Sequence, residues 1–136
     1  PVTLIFAKEK SADSIKEALF ARRTVVWFKN LLIGREIDLS PLLKASLEIT
    51  DMRYHPGTVI VEIDIKNRSD ANFEARYDGP HSLGLTSDRF VIEAHKTTTI
   101  EIKPGARIDN IQLPLILENT LVDPNTHGKI TLSANL

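Results

Sequence analysis

The feature that most constrains the fold is a regular alternation of apolar and polar residues over the last two thirds of the chain. From about Ser46 onward, apolar side chains take every second position, most clearly at Val59, Val61, Ile63 and Ile65. Because successive side chains of a β-strand point to opposite faces of a sheet, this period of two predicts strands with one buried face. Six further runs show the same alternation, at Leu47 and Ile49, Phe73 to Tyr77, Phe90 to Ala94, Ile100 and Ile102, Ile111 to Leu117, and Ile130 to Ala134.

Turn-forming sequences separate these runs. They are His55-Pro56-Gly57, Asp78-Gly79-Pro80, Lys103-Pro104-Gly105 and Asp123-Pro124-Asn125. Proline fixes φ near its turn value, while Gly and Asn tolerate a positive φ. Seven short strands with such turns predict an antiparallel β-sandwich of immunoglobulin-like type. Pro114 cannot donate a ladder hydrogen bond, so we expect its strand to lie at a sheet edge or to carry a bulge.

The first part of the chain has a different pattern. Val2 to Ala7 is a nearly continuous apolar run, which is typical of a strand buried on both faces. Ser11 is a candidate N-cap with Asp13 in the first turn, and the helical spacing that follows predicts an amphipathic helix of about three turns. Thr24 to Phe28 then predicts a second buried strand. The order indicates a βαβ unit with parallel strands and a right-handed crossover.

A linker helix is expected between the two parts. Ser40 and Pro41 have the character of an N-cap and a first helical residue, and Leu42 and Leu43 follow. We therefore expect a βαβ element and linker helix over residues 1–45 and the sandwich over residues 46–136. The predicted fold class is α+β dominated by β, either as one domain or as a domain of about 90–100 residues with an added unit.

Composition excludes several classes of function. The chain is 42% hydrophobic and 26% charged, which is typical of a globular protein. Its net charge of -1 gives no global positive field for nucleic acid, and no apolar run approaches the length of about 20 residues that spans a membrane. The absence of cysteine excludes disulfides, thiolate metal sites and cysteine nucleophiles, and leaves the compartment open.

Residues 1–36 resemble the closing segment of bacterial phosphoesterases of the polymerase-and-histidinol-phosphatase (PHP) family. The matching positions are Phe6-Ala7-Lys8, Glu17-Ala18-Leu19, Arg23-Thr24-Val25-Val26 and Ile33-Gly34-Arg35-Glu36. The family usually has Gly after the helix, where this chain has Arg22, so Arg22 is expected to take the left-handed conformation or to end the helix differently. The resemblance implies the last βαβ element of a PHP barrel with an appended Ig-like β domain.

PHP phosphoesterases use two or three metal ions, held by a His-x-His pair, a late Asp-x-His pair and further ligands, to activate water. None of these pairs occurs here, and the four histidines (His55, His81, His95 and His127) are scattered singly. The resemblance therefore implies a non-catalytic, truncated piece that lacks metal ligands and catalytic residues. It places divalent Mn, Zn or Fe in a barrel of the parent protein.

The corner that follows the second strand supplies the candidate contact residues. Lys29, Asn30 and Arg35 follow the predicted carboxyl end of a parallel strand, where barrel enzymes place substrate loops. These residues have two alternative interpretations, as a contact for phosphate or as a solvent-exposed corner without a ligand. The other candidates are more typical of turns or core: His55, Asp78 with His81, Asp123 with Asn125, the Asn67-Arg68-Ser69 glycosylation pattern, and Trp27 with Phe28 as a stacking platform.

Two hypotheses of different class follow. The first is an accessory module that caps or supports a PHP-family barrel, with the parent's own N-terminal catalytic domain as partner and a homo-oligomer through the βαβ surface as a further expectation. The second is an independent carbohydrate- or protein-binding sandwich. The resemblance favours a periplasmic or secreted bacterial protein over a cytoplasmic one. The first hypothesis expects burial against Leu42, Leu43 or a neighbouring chain for Leu4, Phe6, Ile15, Leu19, Val26 and Phe28.

Overall fold

A computed structural model describes residues 1–84 and 87–136. The elements are β1 (Val2–Ile5), α1 (Ala12–Phe20), β2 (Thr24–Phe28), β3 (Leu31–Gly34), α2 (Glu36–Ser46), β4 (Leu47–Tyr54), β5 (Val61–Asn67), β6 (Phe73–Tyr77), β7 (Ser82–Leu83), β8 (Arg89–Ile92), β9 (Thr97–Lys103), β10 (Asn110–Leu117), β11 (Thr120–Leu121) and β12 (Gly128–Asn135). Neither helix in these two ranges has the length and apolar character needed to cross a bilayer.

Two four-stranded sheets form the sandwich. One has the strand order β12-β10-β6-β8 and the other β4-β5-β9-β7, and every pairing within them is antiparallel. The seven predicted strands are all present, and the two-residue β7 joins as an eighth. The alternation also predicts the core correctly, because Ile63, Ile65, Phe73, Leu113 and Leu115 are almost completely buried between the sheets.

Pro114 is accommodated differently from the prediction. Strand β10 lies inside its sheet, and its register with β12 is continuous from Asn110 to Leu117, so the strand has neither an edge position nor a bulge. Pairing of β10 with β6 begins only at Leu115. The proline therefore lies just outside that ladder, where a missing N–H breaks no bond to β6.

The first unit has the predicted order of strand, helix and strand, but the parallel pairing is wrong. Strands β1 and β2 are antiparallel neighbours, with Ile5 opposite Thr24. The end of β1 and the start of β2 therefore lie at the same end of the sheet, and α1 is part of the connection between them. Phe6 closes it, since its N–H donates to the Arg23 carbonyl at 3.0 Å and its own carbonyl accepts from Arg23 Nε at 3.1 Å.

A third strand, β3, completes a hairpin with β2 and connects the unit to the sandwich. Leu32 lies opposite Trp27 in the antiparallel hairpin. On its other side, β3 pairs in parallel with β11, with Leu32 opposite Thr120 and Ile33 opposite Leu121. The sheet order is therefore β1-β2-β3-β11, and its last strand comes from the far end of the chain.

Helix α2 begins earlier than the Ser40-Pro41 pattern predicts. It starts at Glu36, with Arg35 as the N-cap residue, and Pro41 lies in its interior. Glu36 and Asp38 place negative charge in the first turn, which the helix dipole favours. The carbonyl that Pro41 leaves without an N–H donor belongs to Ile37, which is 74% exposed and can be hydrated.

The predicted burial of six side chains in the first unit is correct for only part of the set. Leu4 and Phe6 pack against the core. Ile15, Leu19, Val26 and Phe28 are between 37% and 49% exposed, so that prediction is wrong for them within the chain. Val26 and Phe28 lie on the face of the β1-β2-β3 sheet that is turned away from α2 and the sandwich, whereas Ile15 and Leu19 lie on α1. These six side chains therefore do not form the single buried cluster that the first hypothesis expects.

Candidate functional site

Lys29 and Asn30 form the two-residue turn of the β2-β3 hairpin. Lys29 has a φ of 56°, and its ammonium group lies 5.6 Å from the centre of the Phe28 ring. The Asn30 carbonyl accepts a hydrogen bond from Asn119 Nδ2 at 2.7 Å. The turn is thus held against the sandwich, with the Lys29 side chain exposed. A phosphate contact by Lys29 stays a prediction.

Arg35 lies at the opposite end of β3 and has structural partners. Its Nη2 donates to the carbonyls of Ala21 and Arg22, at 3.1 and 2.7 Å, and its Nε donates to Asp38 Oδ2 at 3.1 Å. Arg35 thus connects the end of α1 to the first turn of α2, where its ion-pair partner Asp38 is only 8% exposed. The structure therefore does not bring Arg35 together with Lys29 and Asn30.

The candidates that the sequence assigned to turns or core have local hydrogen-bond partners. The Asn125 N–H donates to Asp123 Oδ1 at 2.8 Å, which is an Asx turn and lowers the pKa of that carboxyl. The His81 N–H donates to the Tyr77 hydroxyl at 3.4 Å. Asn67 is completely buried and its amide donates to the Ala71 carbonyl at 2.8 Å, so a glycan cannot be attached there in the folded chain.

A charged network covers the solvent face of β4 and β5. Arg53 donates to Glu62 at 2.9 Å and to Asp64 at 3.0 Å, and it also pairs with Asp51. A hydrogen bond from the Thr99 hydroxyl, together with Arg53, lowers the pKa of Asp64. The pKa of Arg53 is raised in turn, mainly by its hydrogen bonds to Asp64 and Asp51.

One end of this face brings together an imidazole and two carboxylates, at His55, Glu62 and Glu101, whose ligand atoms all lie within 4.8 Å of one another. This is the one group of three potential metal ligands among the residues that the structure describes. Sequence reasoning missed it, because the three residues come from a turn and from two strands whose pairing is long-range. The available signal was an acidic residue, Glu62 or Glu101, at a solvent-facing position in each of two alternating runs.

A cavity of about 210 Å³ lies between the first unit and the sandwich. Trp27, Leu32, Leu42 and Phe73 contribute to its apolar wall, and Arg68 lies at its polar side. Trp27 thus faces the cavity from one side, and it is the sole tryptophan of the chain. Trp27 and Phe28 do not form a single stacking platform, since Phe28 is 46% exposed and does not line this cavity.

Residues 47–133 match a protein family described as an Ig-like domain. The chain belongs to this Ig-like domain family. The match covers the two sheets of the sandwich, and the Ig-like architecture agrees with the antiparallel strands described above. No curated protein matches the sequence.

The Ig-like domain and the unit that precedes it are also similar to a solved structure. That structure is a two-domain protein from Bacteroides vulgatus, which contains a predicted PHP-like metal-dependent phosphoesterase. The two are 29% identical with a TM-score of 0.80, and the match covers 97% of this chain. It covers 38% of the Bacteroides chain, so this chain spans well under half of that protein.

Proposed function

We propose that this chain is a non-catalytic accessory module that supports a PHP-like metal-dependent phosphoesterase domain. The observation that carries the proposal is the similarity of nearly the whole chain to 38% of a two-domain protein with such a phosphoesterase. The larger, unmatched part of the Bacteroides protein is then the model for the partner, and Mn, Zn or Fe belongs to that partner. We also propose that the protein is periplasmic or secreted.

An apolar surface on the first unit supports docking to such a partner. By strand register, Ile5, Val26, Phe28 and Ile33 lie on one side of the β1-β2-β3 sheet, and we call this set the outer face. Each of these side chains is between 37% and 46% exposed. Apolar clusters on a sheet face mark contact surfaces, because burying them removes apolar area from water.

The encoded sequence on the amino-terminal side of Pro1 gives the first test. We expect a His-x-His pair near its beginning and an Asp-x-His pair near its end. The proposal is wrong if that sequence is short or contains neither pair.

The outer face can be tested in the full gene product. We expect the double variant Val26→Glu, Phe28→Glu to separate the unfolding of the phosphoesterase domain from that of the sandwich in calorimetry. Val59→Glu is the control, because Val59 is 37% exposed in the connection between β4 and β5, at the end of β4 that lies away from α2. Identical calorimetric traces for the double variant and the control would contradict docking through this face.

The non-catalytic part of the proposal has its own test. The chain is incubated with Mn²⁺ or Zn²⁺ and a chromogenic phosphodiester, and we expect no turnover above background. Turnover that persists through further purification would show that the chain is itself a hydrolase.

A binding module for carbohydrate or protein is the second candidate function, and the cavity beside Trp27 is the observation that favours it. Because Trp27 is the sole tryptophan, its fluorescence during titration with glycans reports on this cavity alone. Saturable quenching of Trp27 that Arg68→Ala weakens, with the fold intact by circular dichroism, would support this function, because Arg68 also lines the cavity.

A further inference from the structure

We propose that His55, Glu62 and Glu101 form a binding site for a divalent transition-metal ion on the exposed side of the sandwich. One imidazole and two carboxylates converge there, with all ligand atoms within 4.8 Å of one another. The site lies on the Ig-like domain and is independent of the function proposed above.

The backbone holds two of the ligands in place. Glu62 and Glu101 lie directly opposite each other on β5 and β9, so their carboxylates project from the same face. His55 follows β4 in a turn closed by backbone hydrogen bonds, since its N–H donates to the Ile60 carbonyl at 2.8 Å and its carbonyl accepts from Thr58. The turn brings the imidazole Nδ1 to 3.0 Å from Glu62 Oε1.

The Glu101 carboxylate is the second observation that indicates a cation. Carboxylates directly opposite each other on neighbouring strands repel. The Glu62 carboxylate is paired with Arg53 and hydrogen-bonded to His55. In residues 1–84 and 87–136, the Glu101 side chain has no hydrogen bond and no ion pair, although it is only partly exposed.

The Glu101 carboxylate lies close against Gly84, where a residue with a side chain would displace it. A Cβ atom at position 84 would lie 2.7 Å from Glu101 Oε2 and 3.1 Å from Glu101 Cβ. The neighbouring Lys103 passes the same glycine but forms no ion pair with Glu101 in the described part of the chain. A small cation between the two strands would therefore meet a free carboxylate.

The donor set selects the class of metal. Imidazole nitrogen with carboxylate oxygen suits Zn²⁺, Co²⁺ and Ni²⁺, whereas Ca²⁺ and Mg²⁺ take oxygen ligands. Arg53 Nε donates to Glu62 Oε2 at 2.9 Å, which orients the other oxygen toward His55 as a supporting partner of a metal ligand does. Such an ion would connect the β4-β5 turn to β9.

Titration of the whole, metal-free chain with ZnCl₂ in a calorimeter at neutral pH tests the site. We expect one Zn²⁺ per chain and a higher thermal midpoint with Zn²⁺, since a ligand that binds the folded state stabilises it. His55→Ala and Glu101→Gln should each weaken binding about tenfold or more. Circular dichroism of both variants checks that they fold.

His95→Ala is the matched control. His95 also pairs with a carboxylate, that of Asp70 at 2.5 Å, but this pair has no third ligand nearby in the described residues. We expect the control to bind Zn²⁺ as the unsubstituted chain does. The proposal is overturned if Zn²⁺ does not bind, if folded Glu101→Gln and His55→Ala bind it undiminished, or if His95→Ala loses binding equally.

Discussion

At the scale of single residues, Arg22 is a position where the sequence departs from what the backbone favours. Its φ is 59°, in the left-handed region that glycine enters without a steric penalty. The N–H groups of Arg22 and Arg23 bond back to the Leu19 and Ala18 carbonyls, at 3.1 and 3.0 Å, and so end α1. The resemblance anticipated this conformation, because glycine is usual at the corresponding family position.

Replacing Arg22 with glycine should stabilise the chain. A left-handed residue with a Cβ costs about 1–2 kcal/mol, and part of the gain is lost to the greater freedom of glycine in the unfolded chain. We expect Arg22→Gly to raise the free energy of unfolding by about 0.5–1 kcal/mol in urea denaturation. Lys16→Gly, at an exposed position within α1, is the control and should lower it by about 1 kcal/mol. Equal losses in both variants would contradict the assignment of strain to Arg22.

At the scale of secondary-structure elements, Asn119 joins the two parts of the chain. It is 5% exposed, and its Nδ2 donates to the carbonyls of Asn30 and Asn72, each at 2.7 Å. Its Oδ1 accepts from the Glu74 N–H at 2.9 Å. One side chain thus connects the β2-β3 turn to the start of β6.

Removing this side chain should destabilise the whole chain. Asn119→Ala leaves one N–H and two carbonyls without their partner, and buried unsatisfied groups cost about 1–3 kcal/mol each when water cannot reach them. We expect a loss of about 2–4 kcal/mol in the free energy of unfolding, since some of these groups will be hydrated. The control, Asn125→Ala in an exposed turn, should change it by less than about 0.5 kcal/mol. A loss as small as that of the control would show that Asn119 does not hold the units together.

The comparison of sequence and structure is clearest at this same scale. Alternation fixes which side chains of a strand are buried, so Ile63 and Leu113 were predictable from local pattern alone. Strand pairing depends on distant residues, so the antiparallel β1-β2 pair and the β3-β11 pair were not. The cluster of His55, Glu62 and Glu101 could not be predicted for the same reason, because its residues come together only when β5 and β9 pair.

At the scale of the whole molecule, hydrogen-bonded carboxylates on the protein surface make stability depend on pH. The pKa values of Glu17, Glu48, Glu62 and Asp64 are all lowered by neighbouring hydrogen-bond donors, chiefly Arg23, Arg68, His55 and Thr99 respectively. A carboxyl with a lowered pKa in the folded state binds fewer protons there than in the unfolded chain. The contribution of these carboxyls to stability is therefore complete above their unfolded pKa, near 4. It decreases as the pH falls through the lower folded pKa.

Asp64→Asn tests this linkage. We expect the variant to be less stable than the unsubstituted chain at neutral pH, and the difference to shrink as the pH falls from about 5 to about 2. Urea denaturation over this range measures it. The control is Asp109→Asn, whose exposed side chain makes no hydrogen bond or ion pair in the described residues, and its difference should be small at every pH. A constant gap between Asp64→Asn and the unsubstituted chain would exclude Asp64 as a source of the pH dependence.

The pairing of β3 with β11 has a consequence for synthesis on the ribosome. Asn30 and Asn119, which flank this pairing, are 89 residues apart in the sequence. Residues made first usually fold first, but the first sheet lacks its fourth strand until residues 120–121 have emerged. A nascent chain that stalls before then presents the open edge of β3, which is a template for aggregation. The earliest part of this chain to be translated is thus among the last to be completed.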